Sequence, residues 1–186
     1  MTKFVIFTLA LLLLSTDVNC GKKAKKDWVK AYVEDRISAF EQKLKEQTHA
    51  AHAIGFTAEV SAMDVHYTVQ LATILFDRVK VNVGDAYNPT TGIFVAPYAG
   101  MYVFTVTGTS KWGKTVTLEL TVDGNRVAHI YSDSKNSGSY NSGTKTYVQE
   151  LEKGSQVSVK MGAWINNYDL HGNGLTSFTG FLLDRY

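Results

Sequence analysis

Cysteine is almost absent from this chain, and that narrows the options first. Cys20 is the only one in 186 residues, so no intrachain disulfide can staple the fold and stability has to come from core size or assembly. The two prolines and the lack of any Gly-x-y repeat exclude a collagen stalk. Arginines are few and not interleaved with aromatics, and the formal net charge is only +2, which argues against nucleic-acid binding. No serine sits in a Gly-x-Ser-x-Gly elbow, and the Ser-x-x-Lys at Ser132–Lys135 falls in a polar stretch rather than on a helix. Gly172–Ser177 (GNGLTS) follows no βαβ pattern, so it is no phosphate cradle. His49 and His52 lack a third ligand for a metal. With no catalytic constellation, the chain reads as a non-enzyme. Asn88-Pro89-Thr90 is blocked by its proline, so N-glycosylation is not expected.

What is present begins with a leader. Met1-Thr2-Lys3 is basic, Phe4 to Leu14 is apolar apart from Thr8, and Val18 and Cys20 stand where a signal peptidase reads. The run is too short for a membrane span and has the order of a secretory signal, which predicts cleavage between Cys20 and Gly21. No second long apolar run follows, so no transmembrane segment is expected and the mature chain is read as secreted. Residues 21–55 form a lysine-rich leader (Lys22, Lys23, Lys25, Lys26, Lys30) and then a helix from Asp27, its cap, to about Ile54, stopped by Gly55. The leader reads as solvated, with docking on an anionic surface as the alternative. Val33, Ile37, Phe40, Leu44, Gln47, Ala51 and Ile54 are spaced four and three apart, the heptad of a coiled coil, flanked by Glu34, Arg36, Glu41 and Lys43. So short a coil needs partners to be stable; a single amphipathic helix packed on its own domain is the alternative.

From Phe56 the period becomes two. Thr115 to Val122 (TVTLELTV) alternates strictly, Asp123-Gly124-Asn125 turns it into a hairpin, and Gln156 to Met161 alternates again. Short strands with Gly, Asn, Ser and Asp turns and no intervening helix predict an all-β antiparallel sandwich. Tyr131–Gly143 and Ile165–Gly174 read as the long polar loops.

Between Gly92 and Val106 stands GIFVAPYAGMYVFTV, an aromatic run fit for a core or for a binding groove. Phe76, Asn82, Tyr87, Phe94, Gly100, Tyr102 and Phe104 are spaced as in the signature of complement C1q globular heads. Gly55–Ser61 (GFTAEVS) resembles the family's start, and Ser177–Leu183 (SFTGFLL), with Phe178, Gly180 and Phe181, its last strand. The chain from Phe56 to Tyr186 thus resembles the C1q/tumour-necrosis-factor superfamily, with valine at Val106 where an aromatic is usual. The resemblance implies a ten-stranded jelly-roll β-sandwich, preceded here by the short coil, that assembles as a homotrimer. It turns the aromatic run toward structure: Tyr102, Phe104 and Val106 share one face for the sandwich or the trimer seam, and Gly100 allows a tight turn into their strand.

Ligand candidates lie on the loops. One offers Tyr131, Asp133, Lys135, Asn136, Tyr140 and Asn141; the other offers Trp164, Asn166, Asn167, Tyr168, Asp169, His171 and Asn173. Aromatic faces with amides and carboxylates suit a pyranose, although Asn and Asp are also ordinary turn residues and Trp164 suits a sandwich edge. Calcium is not assigned: Asp133 is the only acid in its loop, and a site would need Asp85, Asp133 and Asp169 to converge. The sequence is similar to secreted C1q-domain proteins of invertebrates such as molluscs, many of them lectins. That implies a multivalent pattern-recognition protein that binds glycans or microbial polysaccharides in innate immunity. The rivals are a cytokine-like or synaptic-organiser-like trimer with a protein receptor, and a structural matrix or mucus component. Assembly beyond the trimer is left open.

Overall fold

The lysine-, glutamate- and alanine-rich run folds as one helix, α1 (Cys20–Ala50), in a computed structural model that describes residues 20–50, 53–163 and 169–186. Both expected helix ends move. Asp27 lies inside α1 instead of capping it, and the lysine-rich leader is itself helical, since Lys and Ala favour helix and no proline interrupts them. At the other end Gly55 opens a strand and Ile54 is buried with the globular core, so Ile54 is no seam residue. Ala51 and His52 lie outside the described residues. The expected cleavage point falls at the first residues of α1, and the preceding leader lies outside the description. No described helix is long and apolar enough to cross a membrane. The chain divides into two compact units between Ala51 and His52.

The second unit is all β. Its strands are β1 (Gly55–Glu59), β2 (Asp64–His66), β3 (Arg78–Val83), β4 (Tyr87–Asn88), β5 (Ile93–Val95), β6 (Gly100–Ser110), β7 (Thr115–Val122), β8 (Asn125–Asp133), β9 (Asn141–Leu151), β10 (Gln156–Met161), β11 (Asp169–His171) and β12 (Ser177–Arg185). They form an antiparallel sandwich of jelly-roll type. A seven-stranded sheet runs β2-β11-β6-β12-β1-β3, with β9 also paired to β6, and a five-stranded sheet runs β4-β5-β10-β7-β8. Among the described residues twelve strands stand where the resemblance implies ten, four of them (β2, β4, β5 and β11) only two or three residues long. The hairpin predicted at Asp123-Gly124-Asn125 joins β7 to β8. Asp123 and Gly124 both adopt positive φ (49° and 80°), as a tight hairpin turn with right-handed twist requires.

The aromatic run is core. Tyr102, Phe104 and Val106 point inward from β6 and are buried. Phe94 meets Phe104 edge-on at 5.4 Å, Phe56 stacks on Tyr87 at 4.6 Å, and Phe178 stands edge-on to Phe56 at 4.8 Å. Rings of this size bury roughly 2–3 kcal/mol each. Tyr87 keeps its hydroxyl satisfied by donating to the Phe76 carbonyl at 3.2 Å, and burial pushes its pKa up to about 12. Asn82 clasps the Tyr87 backbone, donating to its carbonyl at 2.9 Å and accepting from its N–H at 3.2 Å. Gly100 serves close packing instead of a turn: a Cβ there would stand 2.3 Å from the Asp184 carbonyl oxygen.

On β7 the opposite, polar face is covered too. Thr115, Thr117, Glu119 and Thr121 are buried. Glu119 is flanked in register by His129 of β8 and Lys160 of β10, with the Arg126 guanidinium 3.5 Å from its carboxylate.

Candidate functional site

Two surfaces stand out. The first is the outer face of the seven-stranded sheet. Strand register lines up Val148, Val103, Phe181, Gly55 and Val83 in one row across β9, β6, β12, β1 and β3. The next row is Thr146, Thr105, Thr179 and Thr57. Val148 and Phe181 are 56% and 44% exposed, so Phe181, unlike Phe178, belongs to this face and not to the core. The hydroxyls satisfy one another across strands: Thr105 with Thr146 and Thr107 with Thr144 at 2.9 Å, Thr109 with Ser142 at 2.7 Å, and Thr57 with Thr179 at 3.2 Å. A face of this kind can be buried without leaving a hydroxyl unmet.

The second surface gathers β2, β11, the β6–β7 turn and the start of β9. Here two Asp-x-His tripeptides pair antiparallel: Asp64 stands opposite His171, and His66 opposite Asp169. The Nδ1–Oδ1 distances are 3.0 Å for His171–Asp64 and 2.8 Å for His66–Asp169. An ionised carboxylate only accepts, so each imidazole donates from Nδ1. Lysines from the β6–β7 turn take the second oxygens, Lys111 Nζ at 2.9 Å from Asp64 and Lys114 Nζ at 3.5 Å from Asp169. The hydrogen bond from His171, then that from Lys111, holds the Asp64 carboxyl below its usual range. For Asp169 burial works upward, but His66 and Lys114 outweigh it and the net direction is again down. Lys111 is raised in turn by Asp64.

Tyr140, 47% exposed, stacks on the buried His171 ring with centroids 4.1 Å apart. Between the two lysines Trp112 is 65% exposed on a turn closed by Lys114 N–H donating to the Lys111 carbonyl at 2.9 Å. The ensemble is charge-balanced, rich in donors and acceptors, and edged by aromatic faces.

The expected loops are shorter than the sequence suggested. β8 runs through Asp133 and β9 begins at Asn141, so Tyr131, Asp133 and Asn141 are strand residues; pairing with β7 and β6 overrides the weak strand preference of Asn, Ser and Asp. Asp169 and His171 likewise lie on β11, drawn into pairing by β2. Asp133 does a turn's work. It accepts from the Thr115 hydroxyl at 2.6 Å and the Lys135 N–H at 2.9 Å, and these bonds, in that order, lower its pKa. The Tyr131 hydroxyl donates to its other oxygen at 3.2 Å, and the Asn141 amide donates to its carbonyl at 2.6 Å. Asn136 is exposed in the connection between β8 and β9, and Asn173 is a left-handed turn residue whose N–H donates to the Ala62 carbonyl at 2.8 Å. Of the proposed ligand residues, the structure brings Tyr140, Asp169 and His171 to one site. Trp164, Asn166, Asn167 and Tyr168 lie outside the described residues, and Ala51 and His52 separate the description of His49 from the sandwich.

Asp85 lines a different feature, a shallow groove of about 440 Å³ shared with Asn88, Ile93 and Pro97. Among the described residues no three His, Cys, Asp or Glu side chains are grouped to hold a metal ion. Sequence reasoning missed Asp64, His66, Lys111, Trp112 and Lys114. The repeated tripeptide, DVH at Asp64–His66 and DLH at Asp169–His171, was the available signal.

Comparison with known proteins follows the same lines. The model of the C1q domain family matches residues 55–183. The chain is 32% identical over 129 residues to Complement C1q tumor necrosis factor-related protein 3 of Mus musculus, covering 68% of this chain and 50% of that protein. It is 32% identical over 138 residues to Heavy metal-binding protein HIP of Mytilus edulis, covering 72% and 62%. It thus spans between half and two thirds of these relatives' lengths. In fold it is similar to the globular domain of zebrafish Complement 1qA protein, with a TM-score of 0.54 at 20% identity over 72% of this chain and 99% of that one. Eiger TNF from S. frugiperda gives 0.56 at 13% identity, over 72% and 94%.

Proposed function

The chain belongs to the C1q domain family, and on that premise we propose that it is an extracellular, self-associating recognition head whose β2/β11 surface engages ligand. The family consists of non-catalytic globular heads with diverse ligands and receptors, typically extracellular, and they often self-associate. For this chain the homotrimer is supported by the outer face of the seven-stranded sheet, where Val148, Val103, Phe181 and Val83 form an uncovered apolar row beside self-satisfied threonine pairs. A second copy removes that row from water without stranding a polar group.

The observation that carries the ligand reading is the exposed Trp112 beside the doubly paired Asp64 and Asp169. Each carboxylate is already balanced by a lysine and an imidazole, so net charge draws in neither anion nor cation. The Lys111 and Lys114 ammonium groups and the Asp64 carboxylate supply donors and acceptors for vicinal hydroxyls, and the indole offers a face for the apolar side of a sugar ring. Weak binding by one head gains avidity when several are held together. This is the lectin reading, directed at glycans or microbial polysaccharides.

The comparisons support a second reading better than they support the lectin. The similarity to Complement C1q tumor necrosis factor-related protein 3 and to Eiger TNF points to a protein receptor as the ligand. The mussel relative's name speaks of heavy metals, but no three-ligand cluster among the described residues supports a metal site.

The test is binding of the secreted chain to a glycan and polysaccharide array, with and without calcium. Saturable binding that falls at least tenfold in Trp112→Ala and Tyr140→Ala, with unchanged melting, is expected for the lectin. A blank array from a folded trimer overturns it and leaves the receptor reading, to be pursued by cell-surface capture.

A further inference from the structure

A second concave surface lies on the outer face of the five-stranded sheet. Tyr87 and Phe94 point into the core and are buried, so by alternation Asn88, Ile93 and Val95 face outward. Register places Gln156 of β10 opposite Val95. These four side chains, with Asp85 and Pro97, line the groove of about 440 Å³, a volume within the range of ligand sites.

Hydrogen bonds fix its shape. The Val95 N–H donates to the Ala86 carbonyl at 2.8 Å, and the Gly92 N–H donates to the Asn88 carbonyl at 2.9 Å. The Thr90 N–H donates to the Asn88 side-chain oxygen at 2.9 Å, and Gly84 and Asp85 both hold positive φ, 82° and 50°. A ligand therefore has little left to order.

The chemistry of the groove is one-sided. Ile93, Val95 and Pro97 give apolar surface, and Asn88 and Gln156 carry amide oxygens. Among the described residues that line it, Asp85 alone is ionisable, and it is exposed. A second acid stands close by, since Asp123 accepts from the Gln156 N–H at 2.7 Å. The basic side chains Arg126 and Lys160 of this sheet face stand around Glu119 instead: Arg126 lies 3.5 Å from its carboxylate, and Lys160 is opposite it in register.

We infer that the groove takes an arginine side chain presented by a partner protein. The aliphatic stem lies on Ile93, Val95 and Pro97, as such stems do on apolar surface. The guanidinium turns to Asp85, whose two carboxylate oxygens match its fork of N–H donors, and the amide oxygens of Asn88 and Gln156 accept further N–H bonds. An ammonium has no planar fork, so arginine is preferred to lysine. A groove this shallow covers one side chain and not a whole ligand, so the residues around that arginine supply the remaining contact. The groove lies on the sheet opposite the Val148–Phe181 row, and self-association through that row leaves it open. The inference does not rest on the ligand reading of the β2/β11 surface.

The experiment is methyl-detected NMR of the full chain, titrated with Nα-acetyl-arginine amide, its lysine counterpart and its citrulline counterpart. The arginine probe should shift the Ile93 and Val95 methyl resonances saturably. It should bind roughly twofold to fivefold more tightly than citrulline, which keeps the shape without the charge. Asp85→Asn removes the acid at a left-handed position that asparagine tolerates, so the fold is kept and the advantage of arginine should vanish. Trp112→Ala should leave the shifts unchanged, which separates this groove from the β2/β11 surface. The same arginine inside a capped Ala-Arg-Ala peptide should bind at least as tightly; weaker binding would exclude presentation within a chain. Equal binding of arginine and citrulline, tighter binding of lysine, or shifts confined to other residues would each overturn the inference.

Discussion

The helix and the sandwich handle apolar side chains in opposite ways. In the sandwich, Phe76, Phe94, Tyr102, Phe104 and Phe178 are sealed from solvent by other residues of the same unit. In α1, Val33, Ile37, Phe40 and Leu44 all face solvent, and no other side chain of that helix can cover them. One unit buries its core within itself; the other has no core of its own to bury these side chains in. The core of the sandwich should therefore stay packed at any concentration, whereas burial of its outer Val148–Phe181 row and order in α1 should depend on concentration.

The comparison breaks most readily at the centre of the sandwich. Phe178→Ala removes a ring that touches Phe56, Tyr87 and Phe104 and should cost about 3–5 kcal/mol in chemical denaturation. A loss below 1 kcal/mol would mean that the core is looser than its burial implies. Gly180→Ala follows, because a Cβ there would lie 2.6 Å from the rings of Phe104 and Phe56; overpacking of this kind costs about 1–3 kcal/mol.

Acid should have a smaller effect, confined to β2 and β11. Asp64 and Asp169 titrate below their ordinary value of 3.8. Their contribution is complete above that value and is lost as pH falls through it toward the lowered folded-state values. These groups are partly solvated, so each should contribute less than about 1 kcal/mol. Amide exchange at β2 and β11 should accelerate below pH 4 in the native chain but not differentially in Asp64→Asn/Asp169→Asn. Uniform acceleration across both sheets would show that the pairs stabilise the whole unit. The smallest effect on the sandwich should come from Phe40→Glu. Its denaturation midpoint should not move, while helicity of α1 at high concentration drops; a shifted midpoint would show that α1 supports the sandwich.

Much of this was legible in the sequence, and for identifiable reasons. Thr115 to Val122 announces a strand because each residue repeats the same alternation, and Asp123-Gly124 announces its turn because few residues accept positive φ. The aromatic signature could be read because the core rings keep fixed spacing along the chain. β2 could not, since three residues carry no periodicity. Its partners His171 and Asp169 lie 107 and 103 residues away from Asp64 and His66. Trp112 was passed over because an isolated aromatic in a Gly-containing turn has no pattern around it. The cap assigned to Asp27 failed because helix propensity upstream was already sufficient without it.

The reciprocal order of the Asp-x-His tripeptides also guards against misalignment. A strand as short as β2 has few backbone hydrogen bonds with which to choose its position along β11. Sliding by one residue would turn the charged side chains to the wrong face of the sheet. Sliding by two would restore the face but bring Asp64 opposite Asp169, or His66 opposite His171, like against like. Of the neighbouring alignments only the observed one matches every acid with an imidazole, so the tripeptides work as a notched key that seats the last strand of the sheet in a single position.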